Sequence, residues 1–392
     1  MTTGSAVSGK PAPDPATSGL EGIVAARTPL SEVDGLKGVL TIRGYDIEEI
    51  ASKVSLEEVA FLLWHGKLPT RSELEEQNRR LLSYRRLPEE TRAAVQLGAK
   101  RMEPMDALRF AVASLTADDP APGDNSHDVN QQRAEMIVAR VPVIVGMYQR
   151  LRSGGQVVEP RADLGMAANL LFQMTGEEPD EAKVRGLETY LVTVTDHGMN
   201  ASTFTTRVIA STASDMVSAV TGGIGALKGP LHGGAPGPAL DMIEEIGTAD
   251  RADAWMRDAV QHGKRIMGFG HRVYKVRDPR AEVLYKAAWL LAEETGEQSS
   301  LDLAKEVERV AVQVLLDEKP GRNLNTNVEF YTALLLRDVG LTPDLFSPCF
   351  AVGRTVGWTA HIIEQHDSGR LIRPQSEYNG ERGLKFAPLD AR

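Results

Sequence analysis

A mostly α-helical fold is the expectation for this chain, and three observations carry it. Apolar residues recur at helical spacing through a succession of runs. Helix-start signals open several of those runs. Strand-like alternation is confined to one stretch near the N-terminus. Together these predict a large helical assembly with short N-terminal β elements and no extended sheet.

Residues 1–18 are mainly Ser, Thr, Gly, Pro and Ala. They carry too little apolar surface to offset the entropy of ordering and are expected to form a disordered tail. An alternating stretch then runs from Val24 to Ile42. It breaks at Asp34-Gly35, a turn dipeptide, and predicts a small strand pair. From Tyr45 the signal becomes helical. Ser55 and Glu58 have the spacing of a capping box, and Leu56, Val59, Ala60 and Leu63 share one face.

Similar helical runs are predicted over about 73–83, 105–115, 133–152, 163–174, 182–194 and 203–220. Others follow over 239–245, 252–262, 281–294, 302–317, 328–337 and 352–365. Loops are expected at 118–130 and 154–160, where Gly, Pro, Asp and Asn gather. No fixed period suggests a solenoid.

The 392 residues allow two or three domains at roughly 150 residues each. A net charge of −10 argues against a nucleic-acid or membrane-surface binder, which needs a basic face. No run of about 18 apolar residues is present to span a membrane. The start of the chain lacks a signal-peptide pattern, so the cytoplasm is the expected location. Cys349 is the single cysteine and lies among apolar neighbours; a buried, inert thiol is expected in a reducing compartment.

The chemical signal lies in two Gly-flanked histidines. His232 stands in Gly229-Pro230-Leu231-His232-Gly233-Gly234, and His271 in Gly268-Phe269-Gly270-His271-Arg272-Val273-Tyr274. Such turns let backbone approach a ligand closely. Glu329 follows in Asn327-Val328-Glu329-Phe330-Tyr331. Two histidines and a carboxylate can supply general acid and base near neutral pH.

Each residue also has a structural reading. Thr326 and Glu329 have capping-box spacing, which leaves catalysis and capping both open for Glu329. His197, in Asp196-His197-Gly198, fits a buried hydrogen-bonded histidine, and Arg280, Arg354 and Arg373 fit surface ion pairs. Gly222-Gly223-Ile224-Gly225 lacks the Lys-Ser/Thr ending of a phosphate loop and a preceding strand; close helix packing suits it better. A serine hydrolase is disfavoured by the absence of Gly-x-Ser-x-Gly. A zinc site is disfavoured, because no His-Glu-x-x-His occurs and His361 and His366 are five residues apart.

Taken together, the segments resemble the citrate synthase family. The resemblance is carried by Asp196-His197-Gly198-Met199-Asn200-Ala201-Ser202-Thr203, Gly225-Ala226-Leu227-Lys228-Gly229-Pro230-Leu231-His232-Gly233-Gly234, and Met267-Gly268-Phe269-Gly270-His271-Arg272-Val273-Tyr274. Asp278-Pro279-Arg280, Asn327-Val328-Glu329-Phe330-Tyr331, Arg354 before Gly357-Trp358-Thr359-Ala360-His361, and Leu371-Ile372-Arg373-Pro374 continue it. Arg43-Gly44-Tyr45-Asp46-Ile47 adds an N-terminal echo. The order holds from about Leu20 to the C-terminus.

The resemblance implies a large helical domain, residues 19–235 and 328–392, and a small domain, 236–327, that closes over substrate. It implies a homodimer and the condensation of acetyl-CoA with oxaloacetate and water to citrate and CoA. No permanently bound cofactor or metal is implied; the coenzyme A thioester is a substrate. Glu329 becomes the base that deprotonates the acetyl methyl. His232, as a neutral imidazole, donates to the thioester oxygen, with a helix beginning near Pro238 expected to help keep it neutral. His271 bonds the oxaloacetate carbonyl and supplies its proton. His197, Arg280, Arg354 and, from the other subunit, Arg373 bind the dicarboxylate, since arginine forks suit carboxylates. Lys275 and Arg277 are the candidates for the CoA phosphates.

Two positions depart from the family pattern. The usual base is aspartate, whereas this chain has Glu329. Many relatives have a second histidine three residues before His197 and a glutamate after it, whereas this chain has Val194 and Gly198. The alternatives are a 2-methylcitrate synthase using propionyl-CoA, since one methylene is worth only about 1–3 kcal/mol of discrimination, and a non-catalytic acyl-CoA or dicarboxylate binder.

Overall fold

The structure is a computed structural model that describes residues 19–20, 22–232, 236–296, 298–322 and 324–392. The tail expected over 1–18 lies outside the described residues.

The N-terminal alternation forms β1 (Ser31–Asp34) and β2 (Val39–Ile42), an antiparallel pair with Ser31 opposite Ile42 and Asp34 opposite Val39. The Asp34 carboxylate accepts from the backbone N–H groups of Leu36 and Lys37, which closes the turn. A third short strand, β3 (Tyr45–Asp46), pairs with β2 through a turn at Arg43-Gly44. It escapes the sequence pattern because two residues show no alternation.

The rest is helical. The first helices are α1 (Ile47–Ile50), α2 (Leu56–His65), α3 (Arg71–Tyr84), α4 (Glu89–Arg101), α5 (Pro104–Ala113), α6 (His127–Arg152), α7 (Met166–Thr175) and α8 (Glu181–Thr193). The Ser55–Glu58 capping box opens α2 as expected: Glu58 N–H donates to Ser55 Oγ at 3.2 Å, and Ser55 N–H to the Glu58 carboxylate at 2.7 Å. Thr70 and Glu73 repeat it at α3.

Helix α4 was not expected. Gly98 interrupts its pattern, but the reason is packing: a Cβ there would lie 2.8 Å from Cβ of Ala107 on α5. The helix predicted over 203–220 is two helices, α9 (Ala201–Ala210) and α10 (Met216–Leu227). Ala213 takes a left-handed φ of 63° between them, and Asp215 caps α10 by accepting from Ser218 N–H. Apolar periodicity runs across this turn because both helices bury the same side. The glycines of α10 serve close packing, as a Cβ on Gly223 would meet Thr206 at 2.7 Å and the Trp358 ring at 3.2 Å.

The chain continues through α11 (Pro236–Ile246), α12 (Ala252–Gln261), α13 (Pro279–Thr295), α14 (Gln298–Glu318), α15 (Val328–Val339) and α16 (Phe346–Ser368). Long α6 and α16 run through the core, which includes Ile137, Val141, Val356, Trp358 and Ile362. Helix α13 packs on α8 and α15, so the 236–327 block shares core with its flanks. Beyond α16 the chain runs without helix from Gly369 to Pro388, largely exposed. Among the described residues no helix is long and apolar enough to cross a membrane.

Candidate active site

Three loops meet where α9, α13, α15 and α16 approach one another. The first carries His232. Its backbone N–H donates to Gly229 O, which closes the turn. Its ring sits on the start of α9, where Ser202 N–H donates to Nε2 at 3.2 Å and Ser202 Oγ lies 2.7 Å from the same nitrogen. A nitrogen that accepts a backbone N–H is unprotonated, so the neutral ring carries its proton on Nδ1. Burial, then the Arg354 charge, lowers its pKa to about 4. The helix terminus seen to touch the ring is that of α9, and the helix expected near Pro238 begins at Pro236. Ser202 is itself fixed, since Trp358 Nε1–H donates to its Oγ at 3.1 Å and Oγ donates to Asn200 Oδ1.

The second loop carries His271. Gly268 and Gly270 take φ of 79° and 81°, which only glycine adopts readily. Their conformation lets the loop pair with residues 325–327: Gly270 N–H donates to Asn325 O at 2.7 Å, and Asn327 N–H to Gly268 O at 2.9 Å. A Cβ on Gly268 would also strike Phe330 at 2.8 Å. The His271 loop is thus laid against the segment that launches α15. His271 Nδ1 accepts from Val273 N–H at 3.1 Å and Tyr274 N–H at 3.0 Å, which puts the neutral ring's proton on Nε2. Burial, with the Arg280 charge beside it, lowers this pKa to about 4 as well.

Glu329 is the second residue of α15. The cap is Asn327, whose Oδ1 accepts from Glu329 N–H at 3.0 Å and whose Nδ2 donates to Gly270 O at 2.9 Å. The capping-box reading fails, because the register set by the His271 loop moves the cap from Thr326 to Asn327. Among the described residues the Glu329 carboxylate makes no hydrogen bond. Burial raises its pKa to about 7, against the opposing charges of Arg265 and Arg280.

Two guanidinium groups lie under these loops. Arg280 is 3% exposed and grips Asp278 bidentately, Nε to Oδ1 at 3.0 Å and Nη2 to Oδ2 at 2.7 Å. Asp278 also accepts from Val328 N–H at 3.3 Å, so the arginine and the start of α15 share one anchor. Arg354 is 1% exposed and makes no ion pair among the described residues, although the Asp196 charge is felt there. Its Nε donates to Val194 O at 2.7 Å, and burial lowers its pKa to about 10. A buried cation whose terminal nitrogens have no hydrogen-bond partner among the described residues suits an anionic ligand.

His197 completes the group. Its ring is 5.5 Å from that of His271, edge to face, and its Nε2 is 3.2 Å from Tyr274 Oη. Burial, then Arg280 and Arg354, holds it well below the usual histidine range. Beneath it, Asp196 Oδ1 accepts His197 N–H, and Asp196 Oδ2 accepts from Ser31 Oγ–H at 2.6 Å and lies 3.0 Å from His361 Nε2. Gly198 N–H donates to Ser31 Oγ at 3.0 Å with φ of 57°, so this backbone belongs to a turn locked onto β1.

The chain itself thus brings together His197, His232, His271, Arg280, Arg354 and Glu329. Arg373 lies on the exposed segment after α16. Lys275 is exposed, with its N–H on Gly35 O. Arg277 is ion-paired with Glu282 and Glu308. A cleft of about 300 Å³ opens beside His271 and is lined by Arg265, Arg272, Lys319 and Arg322. Sequence reasoning missed these four cations, although Arg272 stood inside the His271 motif, because they come from two loops that only the fold brings together. It missed Tyr274 as well, although that residue stood inside a quoted motif.

The family described as the C-terminal domain of citrate synthase matches residues 19–375. A citrate synthase of Haloferax volcanii is 41% identical over 95% of this chain and 98% of its own length. A 2-methylcitrate synthase of Corynebacterium glutamicum is 37% identical over 95% of the chain and 97% of its own. The structure of the Thermoplasma acidophilum citrate synthase, solved as a ternary complex with carboxymethyl coenzyme A and oxaloacetate, superposes with a TM-score of 0.87. It is 30% identical over 95% of this chain and 98% of that one. Likeness over nearly the whole length, in sequence and in fold, makes this chain an acyltransferase of the citrate synthase family.

Proposed function

We propose that the site condenses acetyl-CoA with oxaloacetate, using the six residues in the roles the family resemblance implies. The carrying observation is that backbone N–H groups hold both loop histidines as neutral donors, beside a half-buried carboxylate with no hydrogen-bond partner among the described residues. Glu329, titrating near neutrality, takes a proton from the acyl carbon next to the thioester. His232 Nδ1–H donates to the thioester oxygen as charge develops there. The enol carbon bonds to the keto carbon of oxaloacetate, and the carbonyl electron pair moves to oxygen, where His271 Nε2–H stabilises it. Water then cleaves the thioester and releases CoA.

Arg280 and Arg354 neutralise the dicarboxylate, with His197 as a further donor. The four-cation cleft beside His271 suits the CoA phosphates better than Arg277, whose charge is already met by Glu282 and Glu308. The 236–327 block is proposed to close as the small domain, and the chain to act in the cytoplasm.

Acetyl-CoA is expected to outperform propionyl-CoA by at least tenfold in kcat/KM with oxaloacetate; steady-state rates decide it. A ratio favouring propionyl-CoA establishes the 2-methylcitrate reading. No turnover with either thioester, alongside intact binding, establishes the non-catalytic one.

A homodimer is proposed because the segment carrying Arg373 is tied to the far end of α9, where Ile372 N–H donates to Ser211 Oγ, whereas His232 sits at the start of that helix. The exposed segment carrying it also presents Leu371, Tyr378, Leu384 and Phe386, apolar groups that suit a partner surface. Mixing Arg373→Ala with His271→Ala under subunit exchange is expected to restore activity, because half of the sites in a heterodimer are then intact. If the mixture is as inactive as its components, Arg373 does not act across the interface.

A further inference from the structure

Tyr274 is 1% exposed and touches three of the site's groups at once. Its N–H donates to His271 Nδ1 at 3.0 Å, and its ring lies 4.9 Å from the His271 ring. The Arg280 guanidinium carbon stands 5.9 Å from its centroid. Its hydroxyl lies 3.2 Å from His197 Nε2 and has no other hydrogen-bond partner among the described residues.

That last contact has a direction. A buried phenol that only accepted from His197 would leave its own hydrogen unsatisfied, which is unfavourable away from water. Donating to Nε2 satisfies it. Burial also pushes the phenol well above its ordinary pKa, so the proton stays on oxygen. A neutral imidazole has one proton, and with Nε2 accepting, that proton lies on Nδ1. His197 Nδ1 has no hydrogen-bond partner among the described residues, so its N–H is available to a ligand.

We propose that Tyr274 is a positioning residue of the dicarboxylate site: its hydroxyl fixes the His197 tautomer and so turns His197 into a donor for substrate. The inference rests on the functional reading above for the identity of the substrate, but not for the tautomer. The ring contributes separately, by holding His197 and His271 at their edge-to-face spacing. Replacement of the hydroxyl alone therefore separates the two effects.

The test is Tyr274→Phe, which keeps the ring. Nitrogen-15 histidine spectra of the ligand-free protein report the tautomer directly, with His197 assigned by loss of its signal in His197→Gln. The parent is expected to show His197 protonated at Nδ1, and the variant to show a mixture or the Nε2–H form. In steady state, KM for oxaloacetate is expected to rise about tenfold or more, the loss of roughly one charge-assisted hydrogen bond. KM for acetyl-CoA should stay within twofold, and the melting temperature should be close to the parent's.

An Nε2–H tautomer in the parent, or an unchanged Nδ1–H signature in the variant, overturns the proposal whatever the activity. An unchanged oxaloacetate KM with a shifted tautomer overturns the link to substrate. Failure of the condensation reading itself appears differently, as a tautomer shift in a protein whose parent turns over neither thioester.

Discussion

Replacing His232 or His271 with alanine is expected to lower kcat by roughly 10²–10⁴-fold, the range for loss of a general acid or base. The fold should survive, because neither ring belongs to a helix stripe. His232 is held mainly through Ser202 at the start of α9, and His271 through two N–H groups of its own loop. Truncation removes the thioester-oxygen donor in one case and the carbonyl donor in the other. Oxaloacetate should still bind the His232 variant with nearly parental affinity, since Arg280, Arg354 and His197 remain. Turnover within about threefold of the parent for both variants would dismiss them as the acid–base pair.

The same rings give the parent an acid limit. Both folded-state values are lowered from 6.5 to about 4, so the unfolded chain takes up these protons first. Their neutral forms cost the native state nothing above pH 6.5, and stability is lost as pH falls from 6.5 towards 4. The alanine variants lack that loss.

Much of this site was legible in the sequence because glycine marks it. Gly268 and Gly270 announce a backbone that only glycine adopts readily, and the chemistry sits beside them. Helix faces were legible for the same elementary reason: apolar spacing reports burial. The misses have two causes. The α9–α10 break carried a local signal, Asp215 capping Ser218 three residues on, that the continuous apolar spacing masked. The cap at Asn327 and the bond from Ser202 to His232 are set by contacts between distant segments, and no local pattern encodes them. Thr326 looked like a cap until residues 325–327 paired with Gly268–Gly270, which moved the helix start by one residue. Tyr274 lay in plain view, but its role depends on His197, 77 residues away.

Glu329→Gln is expected to abolish enolisation while strengthening the fold above neutral pH. Exchange of the acetyl-CoA methyl protons with solvent, in the presence of a non-reacting oxaloacetate analogue, isolates the step. It should fall by at least 10²-fold, because glutamine cannot take a proton. The parent's rate should rise with pH and level off above about 7, where Glu329 is ionised.

Stability should move the other way. The folded pKa lies above the unfolded one, so the neutral form's contribution is complete below pH 4.5 and is lost as pH rises to about 7. At about 1.4 kcal/mol for each tenfold change in proton affinity, the variant should gain roughly 3–4 kcal/mol on the parent well above pH 7. That gain should vanish near pH 4.5. A capping role would give the opposite pattern, with exchange preserved and no pH-dependent gain. Glu329→Asp completes the argument. Asn327 and the His271 loop fix the backbone at the start of α15, so the shorter side chain withdraws the carboxylate by about 1 Å. A misplacement of that size costs on the order of 10²-fold. Reduced exchange in the aspartate variant therefore indicates a site shaped around glutamate, and parental exchange indicates a backbone that accommodates either acid.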